Sequence, residues 1–235
     1  MAEIIPAILE KDFGEIKNKL AFLRGCAKCV QIDICDGIFV KTQTWPFSSG
    51  HSGDFGDIDF QKIMNEEEGL PFWQDFDFEF DMMVEDAVEN FDIYMKLGPK
   101  RMIFHIGAQK DIKEFEHFLE GLDIYIRDNV EIGIAFKPNY DLSIVSNLSH
   151  KVDFLQCMGI DEIGLQGQKF NEKVIDNIKF FKKNLPGIVL SVDGGVNLEN
   201  TESILEAGAD RIVVGSGIWK NQDPIGALET FQSLV

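Results

Sequence analysis

Two short stretches, Ser191-Val192-Asp193-Gly194-Gly195 and Val213-Val214-Gly215-Ser216, decide the fold of this chain. Each has the pattern of a buried β-strand that ends abruptly in glycine, and the helical run Leu198–Ala207 lies between them. Strand ends of this kind expose backbone N–H groups side by side, and such groups bind phosphate. Because Asp193 adds a carboxylate, we expect a phosphate cup next to a catalytic acid or base.

The rest of the chain repeats the same strand-then-helix pattern. The predicted strands are short, apolar and mostly continuous, as in a parallel sheet covered on both faces: Ile4–Ile8, Cys29–Ile34, Phe76–Asp81, Arg101–Ile106, Glu131–Phe136, Asp153–Cys157, Ile188–Val192 and Arg211–Val214. The predicted helices are Asp12–Leu23, Ile58–Glu67, Val84–Leu97, Lys113–Arg127, Leu142–Asn147, Asn171–Asn184, Leu198–Ala207 and Pro224–Leu234. Eight alternations predict an α/β fold, a single (β/α)8 TIM barrel over residues 1–235.

The charge of the chain limits its partners. Forty acidic residues against 22 basic ones give a formal net charge of −18, which repels nucleic acid and anionic membranes. An anionic substrate must therefore be held by local donors. No run approaches the ~18 apolar residues that span a bilayer, and the N-terminus lacks a charged stretch followed by an apolar one. We expect a cytoplasmic protein with neither membrane nor nucleic acid as partner.

Two sequence features carry secondary predictions. Cys26 and Cys29 have the C-x-x-C spacing of redox and metal sites, but no second pair completes a zinc site, so we interpret them as structural. The segment 40–57 follows the second strand without any periodicity. Loops of that length in a compact domain are usually functional, so we predict a lid over the barrel mouth, in which His51 could reach the substrate or stay exposed without a role.

A second carboxylate lies at the end of the second strand. Alternation places Gln31, Asp33 and Cys35 on one face of that strand, with Asp33 near the rim. Strands 2 and 7 face each other across a barrel mouth, so Asp33 and Asp193 could flank a bound molecule. Two carboxylates facing one carbon can remove a proton from one face and return one to the other. This is the arrangement that an epimerase needs.

Seven stretches together make the sequence similar to the ribulose-phosphate 3-epimerase family over nearly its whole length. In order, they are Ile-Pro-Ala-Ile-Leu at 5–9, Ile-Asp-Ile-Cys-Asp-Gly-Ile-Phe-Val at 32–40, Phe-Asp-Met-Met-Val at 80–84, Phe-His-Ile-Gly-Ala at 104–108, Gly-Leu-Gln-Gly-Gln-Lys-Phe at 164–170, Val-Asp-Gly-Gly-Val at 192–196 and Gly-Ser-Gly-Ile at 215–218. The resemblance implies a ribulose-phosphate-binding barrel that acts on a sugar phosphate, with Asp33 and Asp193 as the acid/base pair. It also implies phosphate binding by backbone amides of Gly164, Leu165, Gln166, Gly167, Gly194, Gly195, Gly215 and Ser216.

The chain departs from the family pattern at the metal site. The resemblance implies a divalent metal held by two histidines and two aspartates, but the histidine positions are Gln31 and Asp81 here. Ala7 replaces a serine of the first strand. The loop pattern Asn/Glu-Pro-Gly-Phe-Gly-Gly becomes Glu162-Ile163-Gly164-Leu165-Gln166-Gly167, which keeps two of three glycines.

Three explanations for the missing histidines stay open. A cation could still bind through Asp33, Asp81, Asp193 and the Gln31 carbonyl, an all-oxygen set that favours Mg²⁺ or Mn²⁺ over Zn²⁺. The positive charge could instead come from Lys137 or His105, although a lone histidine on an apolar strand is more often a hydrogen-bonded core residue. Epimerisation could also be lost. Three aspartates without a cation repel one another, so at least one would hold a proton.

The sequence therefore predicts an isomerase that epimerises a ketose phosphate at C3 through an enediolate. One alternative is another enzyme on the same phosphate cup, such as a ketose-phosphate aldolase, synthase or decarboxylase, for which a Schiff base on Lys137 would be diagnostic. The other is a protein that binds sugar phosphates without catalysis. Related barrels often associate, so a homo-oligomer is one expected state, and the sequence leaves the oligomeric state open.

Overall fold

Eight parallel strands close into a barrel in the order β1 to β8, with β8 paired to β1. This computed structural model describes residues 2–47 and 55–235. The strands are β1 Glu3–Ile8, β2 Cys29–Cys35, β3 Asp77–Met83, β4 Arg101–His105, β5 Glu131–Phe136, β6 Phe154–Met158, β7 Val189–Asp193 and β8 Arg211–Val214. The prediction of a (β/α)8 barrel is confirmed, and every predicted strand lies within two residues of its position.

The helices follow the strands around the outside of the barrel. They are α1 Phe13–Leu23, α2 Ile58–Met64, α3 Phe91–Met95, α4 Ile112–Gly121, α5 Ile124–Asn129, α6 Leu142–Leu148, α7 Lys173–Asn184, α8 Leu198–Ala207, α9 Ser216–Trp219 and α10 Pro224–Gln232. Many begin at an aspartate or asparagine whose side chain accepts a backbone N–H of the first turn, as Asp12 and Asn197 do. Part of the acidic excess therefore caps helices.

Two predicted helices were wrong in extent. Val84–Leu97 is helical only over α3, and turns occupy the residues before it. There the Asp86 carboxylate accepts hydrogen bonds from the Asn90 amide and the Tyr94 hydroxyl, and such side-chain bonds compete with a regular helix. Lys113–Arg127 divides into α4 and α5, because Gly121 ends the first helix and Asp123 caps the second through Ile126 N–H. The short helix α9 was not predicted.

The long loop after β2 is anchored at both ends. Thr44 is buried; its hydroxyl donates to the Asp33 carbonyl at 2.8 Å and accepts Cys35 N–H at 2.8 Å. Trp45 is fully buried and donates through its indole N–H to Asp57, which caps α2. His51 and its neighbours lie outside the described residues, so the predicted lid stays a prediction.

The barrel interior carries charge at its floor, the end at which the strands begin. Arg101 lies within 3.2 Å of Glu3 and 3.4 Å of Glu131, and Arg211 lies 2.6 Å from Glu131. The Arg211 guanidinium stacks 4.8 Å from the Phe154 ring centroid. Phe154 fills the interior opposite Gly133, where a Cβ would come within 2.8 Å of three ring atoms. The floor is thus closed by paired charges over an aromatic ring.

Glu79 is the exception within this network. It is fully buried, its carboxylate oxygens have no hydrogen-bond partner among the described residues, and its nearest cation, Arg101, is 3.6 Å away. Burial raises the pKa of Glu79 to about 7, although Arg101 and Arg211 act in the opposite direction. The folded protein therefore binds a proton here more tightly than the unfolded chain does.

We predict that Glu79→Gln stabilises the protein more at high pH than at low pH. The folded pKa of Glu79 lies above the unfolded one, so the carboxyl destabilises the fold progressively as pH rises through that window. The gain in free energy of unfolding should grow by about 2 kcal/mol between pH 5 and pH 8. Urea unfolding at both pH values measures it, with the exposed Glu229→Gln as control. A gain that does not change with pH contradicts the prediction.

None of the helices in the described residues is both long and apolar enough to cross a bilayer. The four cysteines are free, and Cys29 is buried with its sulfur 3.2 Å from Arg101. Burial raises the pKa of the Cys29 thiol well above its ordinary value, and the neighbouring Glu79 adds to this effect. A thiol held protonated in this way has the structural character that the sequence predicted.

Candidate active site

The two predicted catalytic aspartates lie at the mouth of the barrel, where β2 and β7 end. Asp33 is buried and Asp193 is partly exposed. A single side chain joins them, because Gln31 Nε2 donates to Asp33 Oδ1 at 2.7 Å and to Asp193 Oδ2 at 3.1 Å. The structure thus brings the pair together from strands 160 residues apart in sequence, the separation of Asp33 from Asp193.

A third carboxylate joins this pair. The register of β2 and β3 sets Asp81 directly beside Asp33, and one oxygen from each of Asp33, Asp81 and Asp193 lies within 4.8 Å of the others. Asp81 is fully buried and hydrogen-bonded to His105 Nε2 at 2.6 Å. We call Asp33, Asp81 and Asp193 the carboxylate trio.

The electrostatics of the trio favour protons or a cation. Burial raises the pKa of Asp33 well above its ordinary value, and the charges of Asp193 and Asp81 raise it further. Burial and Asp81 likewise raise the pKa of Asp193 to about 7, against the lowering effects of the Gln31 hydrogen bond and of His105. Like charges in a buried site cannot all ionise freely, so the trio holds a proton near neutral pH unless a cation binds.

The donor set fits the divalent metal that the family resemblance implies. Three carboxylate oxygens converge within 4.8 Å, and hard cations such as Mg²⁺ and Mn²⁺ prefer oxygen ligands. Gln31 Oε1 is buried without a hydrogen-bond partner among the described residues, while Nε2 contacts the carboxylates. A half-turn of this amide would present the carbonyl oxygen to the trio. The chain therefore has an aspartate cluster that could bind a metal.

A cavity of about 480 Å³, open solvent included, lies beside the trio. Asp33 and Asp193 line it together with every residue predicted to bind phosphate: Gly164, Leu165, Gln166, Gly167, Gly194, Gly195, Gly215 and Ser216. We call these eight residues the phosphate cup. Ala7, which stands where the family pattern has serine, lines the same cavity.

Positive φ angles explain some of the glycines in the cup. Gly195 has φ +68°, and a Cβ there would come within 2.8 Å of the Phe170 backbone. Gly164 has φ +80°, and a Cβ would press on Val40. Only glycine combines such backbone angles with so close an approach. These positions fix the paths of the loops that bring the cup together.

The two auxiliary candidates lie in different surroundings. His105 is buried, bonded to Asp81, and its ring lies 5.7 Å from the Phe39 ring; this is the hydrogen-bonded core position that a lone strand histidine suggested. Lys137 is exposed just after β5 and is not among the residues that line the cavity. The structure therefore does not bring Lys137 to the carboxylates, and nothing in its position favours a Schiff base.

Sequence reasoning missed several supporting residues. Gln156 donates to Asp81 Oδ2 at 3.4 Å and accepts from the Ser191 hydroxyl at 3.2 Å. Gln156 points into the barrel from β6, and Ser191 does so from β7. Ser191 lies two residues before Asp193, so the alternation of side chains along a strand places both on the same face and could have identified Ser191. Lys220 approaches the cup from the end of α9, so closely that a Cβ on Gly167 would collide with its Nζ. No motif in the sequence marks that approach.

Asp36 ties two loops of the mouth together. It is buried, and its Oδ1 accepts backbone N–H groups of Ile38 at 2.7 Å and Phe39 at 2.9 Å, while Oδ2 accepts that of Glu85 at 2.7 Å. The carboxylate thus holds a turn. It also bridges from the loop after β2 to the loop after β3, and so positions Phe39 against His105.

We predict that Asp36→Asn lowers the free energy of unfolding by about 1–3 kcal/mol, because an amide nitrogen would face the Glu85 N–H and leave a buried donor unpaired. Urea unfolding measures the loss. Asp111→Asn is the matched control: Asp111 caps α4, and asparagine caps equally well, so it should cost less than about 0.5 kcal/mol. Equal costs for the two variants would show that the bridge does not stabilise the mouth.

A closed barrel with a glycine-lined cavity and a carboxylate trio at the ends of its strands is the arrangement of a (β/α)8-barrel enzyme. Comparison with known proteins narrows this class. The chain belongs to the Ribulose-phosphate 3 epimerase family, which it matches over residues 3–219.

Curated relatives agree with this assignment. The ribulose-phosphate 3-epimerase of Bacillus subtilis is 25% identical over 95% of this chain and 94% of its own length. That of Aquifex aeolicus is 24% identical over 100% and 97%. These relatives are isomerases, which confirms the enzyme class predicted from the sequence.

Solved structures support the fold alone, because their sequence identities are low. A 3-hexulose-6-phosphate synthase from Salmonella typhimurium superposes with a TM-score of 0.69 at 15% identity, covering 99% of this chain and 97% of that one. KGPDC from Streptococcus mutans gives a TM-score of 0.66 at 13% identity, covering 100% and 97%.

Proposed function

We propose that this protein interconverts ribulose 5-phosphate and xylulose 5-phosphate by moving the C3 proton between Asp33 and Asp193. The observation that carries the proposal is that both carboxylates line the same cavity as the phosphate cup and share one donor, Gln31 Nε2. Family membership and the names of the curated relatives support the substrate class.

The phosphate cup would orient the substrate. Loops after β6, β7 and β8 contribute to it, and their backbone N–H groups suit phosphate oxygens. With the phosphate held there, the sugar chain extends toward Asp33 and Asp193. Binding of the phosphate thereby positions the reacting carbon, C3, although the phosphate cup does not contact C3 itself.

Proton transfer would use the two aspartates from opposite sides. One carboxylate removes the C3 proton, and the electron pair moves into an enediolate over C2 and C3. The other aspartate, protonated, returns a proton to the opposite face and inverts C3. Reversing these roles converts the product back, so each aspartate serves one epimer as base. Gln31, bonded to both, keeps them in register.

The developing oxyanion needs positive charge. A divalent cation held by the trio would stabilise charge on the enediolate oxygens. The Gln31 carbonyl would add a ligand only after the amide turns, and its Nε2 would then no longer bridge the two aspartates. His105 keeps Asp81 in place through its 2.6 Å hydrogen bond, as partners behind a ligand commonly do.

The test is hydrogen exchange at C3 in D2O, followed by NMR. Wild-type protein should convert ribulose 5-phosphate to xylulose 5-phosphate and incorporate deuterium at C3 of both. Asp33→Asn and Asp193→Asn should each lower turnover at least ~10²-fold. Each variant retains one base, so it should still exchange C3 of one epimer only, and the two variants should favour opposite epimers.

The exposed Asp176→Asn serves as control and should exchange as wild type does. Failure of the wild type to exchange C3 with Mg²⁺, Mn²⁺ or Zn²⁺ present would refute the proposed activity. Variants that exchange the same epimer would instead point to a single base.

We predict that the trio binds Mn²⁺ and that Asp81→Asn weakens this binding at least ~10-fold, because one of three convergent carboxylates is lost. Electron paramagnetic resonance of free Mn²⁺ measures the affinity, with Asp176→Asn again as control. Gln31→His should shift the preference from Mn²⁺ toward Zn²⁺, since imidazole suits zinc. If the protein binds none of Mn²⁺, Mg²⁺ and Zn²⁺, the prediction of a metal site is wrong, and the explanation of a site without metal replaces it.

A further inference from the structure

Gln166 carries a buried donor with no partner. Its side chain crosses the cup toward Gly215, so that a Cβ on Gly215 would come within 2.7 Å of Gln166 Nε2. Within the described part of the chain, Nε2 is buried and makes no hydrogen bond. Buried polar groups are paired in native structures as a rule. An unpaired donor in a cavity therefore indicates a missing acceptor.

The surroundings of Gln166 Nε2 narrow the kind of acceptor. The nearby carbonyls of Gly215 and Ser216 already accept backbone N–H groups from Ile218 to Lys220. No acceptor among the described residues pairs with this amide. A bound group with several acceptor oxygens would pair with Gln166 Nε2 and could also accept the backbone N–H groups that the phosphate cup is proposed to supply.

A cation lies against the same loop, just outside the cavity lining. Lys220 follows α9, with its backbone N–H bonded to Ser216, and its ammonium group rests against Gly167. Gln166 belongs to the loop Gly164–Gly167, and Lys220 contacts the same loop at Gly167. In a chain with a net charge of −18, an ammonium at this point supplies local attraction for an anion that the overall charge would repel.

We propose that Gln166 Nε2 and Lys220 Nζ bind the phosphate oxygens of the substrate, so that side chains as well as backbone amides hold a phosphate monoester dianion. This deepens the proposed function and rests on it only for the identity of the sugar. Position 166 is glycine in the loop pattern of the family, and glycine has no side-chain donor. The added contact is therefore a property of this chain.

The experiment titrates inorganic phosphate into the full-length protein by calorimetry. Gln166→Glu replaces the donor by an isosteric anion and should weaken phosphate binding at least ~10-fold, whereas Gln166→Gly should weaken it by a few-fold. Lys220→Met should weaken it about 10-fold and reduce its dependence on salt. The matched controls are Gln168→Glu and Lys169→Met, which make the same changes of side chain at the next two positions of the chain.

Each outcome either supports or overturns the proposal that Gln166 and Lys220 bind phosphate. Weaker binding in the three variants, with both controls like wild type, supports the proposal even if C3 exchange is never observed. Unchanged affinity in Gln166→Glu, or tighter binding in Gln166→Gly, overturns it and leaves the epimerase proposal intact. If wild-type protein binds no phosphate at millimolar concentration, this proposal fails, and C3 exchange alone decides the proposed activity. Circular dichroism verifies that each variant is folded.

Discussion

Mutual repulsion within the carboxylate trio is the constraint on which the rest of the site depends. Three carboxylates from β2, β3 and β7 converge within 4.8 Å in a largely buried place, where like charges strongly oppose ionisation. Neighbours offset part of this repulsion: Gln31 donates to two of the three, and His105 bonds the third. A bound proton or a bound cation must offset the rest of the repulsion. Either one suits the proposed transfer of a proton next to a developing oxyanion.

The barrel separates stability from chemistry along its axis. Paired charges and the Phe154 ring close the floor, whereas the carboxylate trio lies at the mouth. The phosphate cup lies on the loops after β6, β7 and β8, and Asp33 approaches from β2. Under the proposed function, the loops after β6, β7 and β8 would hold the phosphate, and the aspartates at the ends of β2 and β7 would move the proton, so β7 would serve both roles. Active sites built at the strand ends in this way let barrels vary their chemistry without altering the core.

Much of this arrangement could be predicted from the sequence, for physical reasons. Strands covered on both faces are continuous apolar runs, so all eight were identified, and the glycines at strand ends predicted the cup. The prediction of a helix over Val84–Leu97 was wrong in extent because Asp86 forms side-chain hydrogen bonds, which the hydrophobic periodicity does not reveal. The His105–Asp81 bond depends on strand pairing, and the approach of Gln166 and Lys220 to the cup depends on loop geometry. Contacts of that kind appear only when the chain is folded.

Proton release on cation binding tests most directly whether repulsion within the carboxylate trio holds protons there. Mn²⁺ titrated calorimetrically in two buffers of different ionisation enthalpy reports the number of protons released. Because the pKa values of Asp33 and Asp193 are raised, the latter to about 7, we predict more protons released at pH 6 than at pH 8, with tighter binding at pH 8. Mn²⁺ binding with no proton release at either pH would contradict this prediction.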